Sequence, residues 1–171
     1  MFPSRLSGFL VLVLCTPLMV ACLPSGGHVG AVATGHFSAR HKFPTLIVAW
    51  CGDAGPRQID LVSEDLRRHL IATREFEGTR MEVDLSAPGE DWRITDEEGA
   101  QVYRLVPESS EKEYFVGIGS EAAAPGEETE HDIGTLVFTT EALAGEEGVY
   151  ADAGEASQAE FLPQEDFPPE C

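Results

Sequence analysis

The stretch Thr45-Leu46-Ile47-Val48-Ala49-Trp50 is a continuous apolar run of strand length, closed by Cys51-Gly52 and the turn Asp53-Ala54-Gly55-Pro56. A run of this kind, bounded by turn residues and rich in β-branched side chains, fits a strand in the middle of a sheet. The segments that follow alternate instead. Ile59 and Leu61 oppose Gln58 and Asp60; Met81, Val83 and Leu85 oppose Arg80, Glu82 and Asp84; Trp92 and Ile94 oppose Asp91 and Arg93. A period of two places each apolar set on one face of a strand. Asp96-Glu97-Glu98-Gly99 turns the chain into Gln101–Val106, and Tyr114, Val116 and Ile118 carry the pattern onward. Leu136–Thr139 and Val149-Tyr150 complete about seven or eight strands, a count that at this spacing predicts an all-β chain, a single antiparallel β-sandwich of immunoglobulin-like type.

Ser63–Arg74 (SEDLRRHLIATR) supports two readings. One is a helix capped by Ser63, with Leu66, Leu70 and Thr73 on one face. The other is a turn at Glu64-Asp65 and a strand reaching Phe76, with Leu70, Ala72 and Phe76 on one face. The hairpin is favoured because its flanks are strands and Gly78 restarts the alternation. Thr140–Ala144 (TEALA) fits a single helical turn, and Phe161-Leu162-Pro163 with Phe167-Pro168 suggests that the acidic C-terminal extension packs back on the domain.

The first residues carry an address. Met1–Arg5 form a short, weakly positive start, and Leu6–Ala21 contain no charge, the layout of a signal peptide. As a helix this apolar stretch would reach about 24 Å, short of the ~30 Å hydrocarbon layer, and Pro17 interrupts it. It ends in Met19-Val20-Ala21-Cys22, which resembles the lipobox of bacterial lipoproteins except that Met19 stands where leucine is usual. By that resemblance Cys22 becomes the lipidated first residue of the mature chain, held in the membrane by acyl chains such as palmitate. The competing reading is a cut after Ala31-Val32-Ala33 that frees a secreted protein. With residues 1–21 as signal peptide, 22–41 reads as a flexible tether, since 23–41 is rich in glycine and small residues, and 42–171 as the domain.

Once the signal peptide takes Cys15 and lipid takes Cys22, Cys51 and Cys171 are left as an even pair in an oxidising compartment. A bridge between them would close a loop of about 120 residues and add on the order of 4–5 kcal/mol. Two free thiols are the alternative, and a catalytic Cys51 a third, although no neighbouring motif marks it as a nucleophile.

Charge narrows the function classes. Asp and Glu number 30 against 11 Lys and Arg, for a net −19, and no acid precedes Asp53. So negative a domain is repelled by phosphate backbones, which argues against nucleic acid as a partner. No catalytic, metal or cofactor set emerges. His28, His36 and His41 have spacings that put no two on one helical face, and His131-Asp132 follows an acidic loop, Pro125–Glu130, that lacks the order of a calcium loop. Gly117-Ile118-Gly119-Ser120 lacks the lysine of a phosphate loop and reads as glycine in a strand where side chains would clash. Trp50 and Trp92 fall in strand patterns and read as core.

Met19–Cys22, Trp50-Cys51-Gly52, Gly89-Glu90-Asp91-Trp92, Val137–Leu143 and the terminal cysteine together resemble small uncharacterised lipoproteins common in actinobacteria. The resemblance implies a lipid-anchored protein on the outer face of the membrane and brings no activity with it. The sequence therefore leads to an extracytoplasmic binding or interaction module, with an envelope protein of unknown identity as a candidate partner. Against it stands a cell-envelope enzyme with unrecognised acidic catalytic residues.

Overall fold

The computed structural model describes residues 28–33, 42–124, 127, 129–144, 148–152 and 159–168. These form two antiparallel sheets with almost no helix. The strands are β1 (His28–Ala33), β2 (Thr45–Ala49), β3 (Gln58–Val62), β4 (Arg67–Ala72), β5 (Arg80–Asp84), β6 (Trp92–Thr95), β7 (Gln101–Val102), β8 (Glu113–Gly119), β9 (Gly134–Thr139), β10 (Gly148–Asp152) and β11 (Ala159–Leu162). One sheet runs β11-β10-β1-β2-β5, the other β7-β6-β4-β3-β8-β9. A single helical turn, α1 (Thr140–Leu143), follows β9 and is capped by the Thr139 hydroxyl, which accepts from the Ala142 N–H at 3.1 Å. Among the described residues no helix is long and apolar enough to cross a membrane.

The inward faces of both sheets meet in one core. Val29, Leu46, Val48 and Val83 come from the first sheet, and Ile59, Leu61, Leu70, Trp92, Ile94, Tyr114, Val116 and Ile118 from the second. The continuous apolar character of β2 has a direct cause. Leu46 and Val48 face this core, while Ile47 faces the other way and packs with Val149, Ala151 and Phe167 in a second cluster. The C-terminal segment thus covers the outer face of β2 as expected, through Phe167. Trp50 and Trp92 are both core residues, Trp92 stacked on Phe76 at 5.2 Å.

Ser63–Arg74 forms the hairpin, β3 to β4, with Leu70 inside. Its second strand ends at Ala72 and does not reach Phe76. The chain turns away where Thr73 N–H donates to the Asp91 carbonyl and Arg74 grips the Asp91 carboxylate at 2.6 and 3.0 Å. Gln101–Val106 is likewise shorter than expected, pairing only over Gln101-Val102. The expected strand count is low because β1 and β11 escape it. Residues 28–33 fall inside the stretch read as tether, yet β1 sits between β10 and β2, pairing with both. Its small residues disguise it: Gly30 leaves room that a Cβ would lose, since Val149 Cγ1 already fills the place where that atom would sit. His36 and His41 lie outside the described residues, as do Cys15, Cys22 and Cys171; Cys51 is disulfide-bonded.

Tyr114 closes the core beside β8. Its ring is fully buried against Phe43, edge to face at 4.9 Å, and its hydroxyl accepts from Glu108 N–H at 2.9 Å while donating to the Ser109 carbonyl at 3.1 Å. Tyr114→Phe keeps the packing and strands these backbone groups, so it is expected to cost about 1–2 kcal/mol in urea unfolding. An unchanged midpoint would mean that water replaces the hydroxyl without loss.

Candidate functional site

The strand β3 alternates as expected, with Ile59 and Leu61 inward and Gln58, Asp60 and Val62 on the outer face of the six-stranded sheet. An outer face should be wet, yet Gln58 is 3% and Asp60 6% exposed. They are covered by Ala123, Thr129 and His131, described residues of the segment between β8 and β9. The sheet admits it because β8 presents glycines there. A Cβ on Gly117 would fall 2.5 Å from ring atoms of His131, and one on Gly119 2.5 Å from the Glu130 carbonyl oxygen. Gly117 and Gly119 are therefore positions where side chains would clash, as the sequence suggests.

Register puts the polar residues in rows. Asp60 faces His69 on β4 and Gly117 on β8; His69 faces Thr95 on β6, and Thr95 faces Gln101 on β7. Along the next row Arg93, Ile71, Gln58 and Gly119 are partners in turn. Facing residues on adjacent strands have Cβ atoms about 4.5–5.5 Å apart, within side-chain reach.

Asp60 is the hub. His69 Nδ1 lies 2.7 Å from Asp60 Oδ1, and His131 Nε2, from the covering segment, 2.8 Å from Oδ2. Gln58 Nε2 donates to Oδ1 at 2.7 Å and also to the Thr129 hydroxyl, while Gln58 Oε1 accepts from Ala123 N–H at 2.9 Å. Burial alone would raise the Asp60 carboxyl, but the donors His131, His69 and Gln58 outweigh it and hold the group below its ordinary value of 3.8. Asp60 is thus an ionised carboxylate, and as an acceptor it requires the nearest nitrogen of each imidazole to carry hydrogen. The other nitrogen of each ring, Nε2 of His69 and Nδ1 of His131, has no hydrogen-bond partner among the described residues. At the base of the segment Asp132 clamps Ser120, accepting from its N–H at 2.7 Å and its hydroxyl at 2.6 Å. Burial pushes the Asp132 carboxyl up, and the bonds from Ser120 bring it below the usual range.

Beside the hub lies a cavity of about 910 Å³, floored by the outer face of β3, β4, β6 and β8 and walled by the covering segment. Val62, Ile71 and Phe115 give it apolar surface; Arg67, Arg93, Thr95, Gln101 and Glu127 give it polar groups. Arg67 pairs with Glu97 at 3.4 Å, and Asp96 accepts from Ala100 N–H at 2.7 Å. Cavities of roughly this size, with mixed walls and a few convergent polar groups, are typical of small-molecule sites. The two imidazoles sit on opposite oxygens of one carboxylate, and among the described residues no three His, Cys, Asp or Glu side chains form a metal-ligand set.

In the sequence Asp60 stands merely as a polar residue alternating with Ile59 and Leu61, and His131 falls in an acidic loop. Neither is marked there as part of a site, and His69 passes unremarked within the ambiguous segment. A signal exists for one contact: a turn centred on Glu64-Asp65 sets Asp60 opposite His69. Cys51 is bridged and so is not a free thiol nucleophile. Comparisons of the chain with family models, with curated proteins and with solved structures find no match.

Proposed function

We propose that this chain is a lipid-anchored extracytoplasmic lipoprotein whose domain, an immunoglobulin-like β-sandwich, binds a small molecule in the cavity beside Asp60. The observation that carries the binding reading is the cavity itself, where buried polar side chains on the outer face of a sheet are organised around one ionised carboxylate. A residue hub of this kind fixes the rims of a site and leaves two imidazole edges to meet a ligand.

Support for the anchor comes from β1. A cut after Ala33 would remove a strand paired on both sides, and with it Val29 and Ala31 from the interior. A mature chain beginning at Cys22 keeps that strand. It also leaves five residues between the lipidated cysteine and His28, so the domain stands no further than about 20 Å from its anchor. Cys51 and Cys171 are then the pair expected to bridge, tying the end of β2 to the chain terminus.

Intact mass of the protein from the host membrane, beside Cys22→Ala, tests the anchor. The expected result is a diacylated chain starting at Cys22 in membranes, and release or failure to mature in the variant. An unmodified chain starting at Thr34 in the medium would refute it.

A second reading, a secreted cell-envelope enzyme using His69 or His131 as general base, draws on the carboxylate that orients both rings. Among the described residues neither imidazole is hydrogen-bonded to a serine, threonine or cysteine side chain, so a base here would act on water or on the substrate itself.

A further inference from the structure

We propose that the cavity takes a small organic anion, its carboxylate or phosphate head held at the corner formed by Arg93, Thr95 and His69, with its body over Ile71; this rests on the binding reading above. The cavity is lined by Arg67 and Arg93 and by His69 and His131, beside the acids Asp60, Asp96, Glu97 and Glu127, in a chain with 11 Lys and Arg against 30 Asp and Glu.

Their partners decide which of them can receive a ligand. Arg67 is paired with Glu97, whereas Arg93 has no ion pair among the described residues. The acids on the walls are mostly engaged: Asp60 with its three donors, Asp96 with the Ala100 N–H, Glu97 with Arg67. Glu127, on the covering segment, is the acid whose carboxylate is left without a partner among the described residues.

Thr95 stands at the same corner as Arg93. It is 7% exposed and lines the cavity, and its hydroxyl makes no hydrogen bond among the described residues. Among the described residues the buried side-chain atoms left without a partner are Trp50 Nε1 and Ser63 Oγ, so the Thr95 hydroxyl is open to the cavity, where water or a ligand oxygen can bond to it. Thr95 lies directly opposite His69, and Arg93, two residues earlier on the same face, is the diagonal neighbour of His69. That spacing, about 7–8 Å across a strand pair, lets a guanidinium, a hydroxyl and an imidazole edge reach one head group. Ile71, facing Arg93, supplies the apolar surface next to it.

The test is a titration of the ¹⁵N-labelled full chain in detergent with benzoate, inorganic phosphate and the uncharged benzyl alcohol, read by NMR. Saturable shifts at Arg93, Thr95 and His69 are expected with benzoate or phosphate, and whichever anion binds tighter identifies the head group. Arg93→Gln should weaken anion binding roughly tenfold and Thr95→Val roughly threefold or more, neither changing the unfolding midpoint by much. Benzyl alcohol binding as tightly as benzoate, with Arg93→Gln without effect, would overturn the anion assignment and leave the binding module standing. No saturable shift from any of the three probes would overturn both.

Discussion

Asp60→Asn is expected to lower stability by about 2–4 kcal/mol and to free the segment between β8 and β9. The side chain is only 8% exposed and takes bonds from two histidines and Gln58. An asparagine offers one acceptor oxygen and turns an NH₂ toward one of the rings. That ring must switch tautomer to accept from the amide or else lose its partner, and the charge that orients the pair is gone. Because His131 is one of the two, the loss should appear in hydrogen exchange of Thr129–Asp132 before it appears in the core strands.

The same variant has a signature in acid. The Asp60 carboxyl in the folded chain lies below its ordinary 3.8. The depressed value means that the unfolded chain binds the proton more readily. The contribution is therefore fully present above about pH 4 and is lost as the pH falls through the folded value. Urea unfolding across this range should show a fall in stability for the wild type that is shallower in Asp60→Asn. Parallel curves, with an unchanged midpoint at neutral pH, would show that the carboxylate contributes no more than a surface charge.

Much of the frame follows from local pattern. The alternation in β3, β5, β6 and β8 marks inward residues because one face of each is covered by the shared core, and the unbroken run in β2 reflects burial on both faces. The turn at Glu64-Asp65 fixes the register that sets Asp60 against His69, so half of the hub is implicit in the hairpin. The other half is hidden, since His131 arrives from 71 residues away by a segment that has no period of its own. The strands β1 and β11 are hidden for another reason. β1 is built of small residues whose packing depends on Phe167 and Val149, partners far along the chain, so its sequence resembles a linker. Function escapes for the same cause as the hub: the polar rows exist only once β6, β4 and β3 lie side by side.

Gly117→Ala is the sharper probe of how the covering segment is seated, and its cost is expected at about 2–3 kcal/mol. The backbone is no obstacle, because Gly117 sits in a regular strand opposite both Asp60 and Thr135. Space is the obstacle. The new Cβ would stand 2.5 Å from Cγ, Cδ2 and Cε1 of His131, closer than carbon atoms approach, so the ring must leave. When it leaves it abandons the Asp60 carboxylate and its contact with Phe115, whose ring lies 5.5 Å away. The cost therefore belongs to the pair and not to the strand. A double-mutant cycle separates the two. With His131→Ala in place the added methyl has room, and Gly117→Ala should then be nearly free, giving a coupling energy close to the whole single-mutant loss. Equal costs in both backgrounds would place the clash on the backbone of the segment instead, as at Gly119, where the obstacle is the Glu130 carbonyl. The single variant should also loosen the wall of the cavity, so a ligand held there should dissociate faster from Gly117→Ala than from the wild type, by a factor that the same cycle can partition.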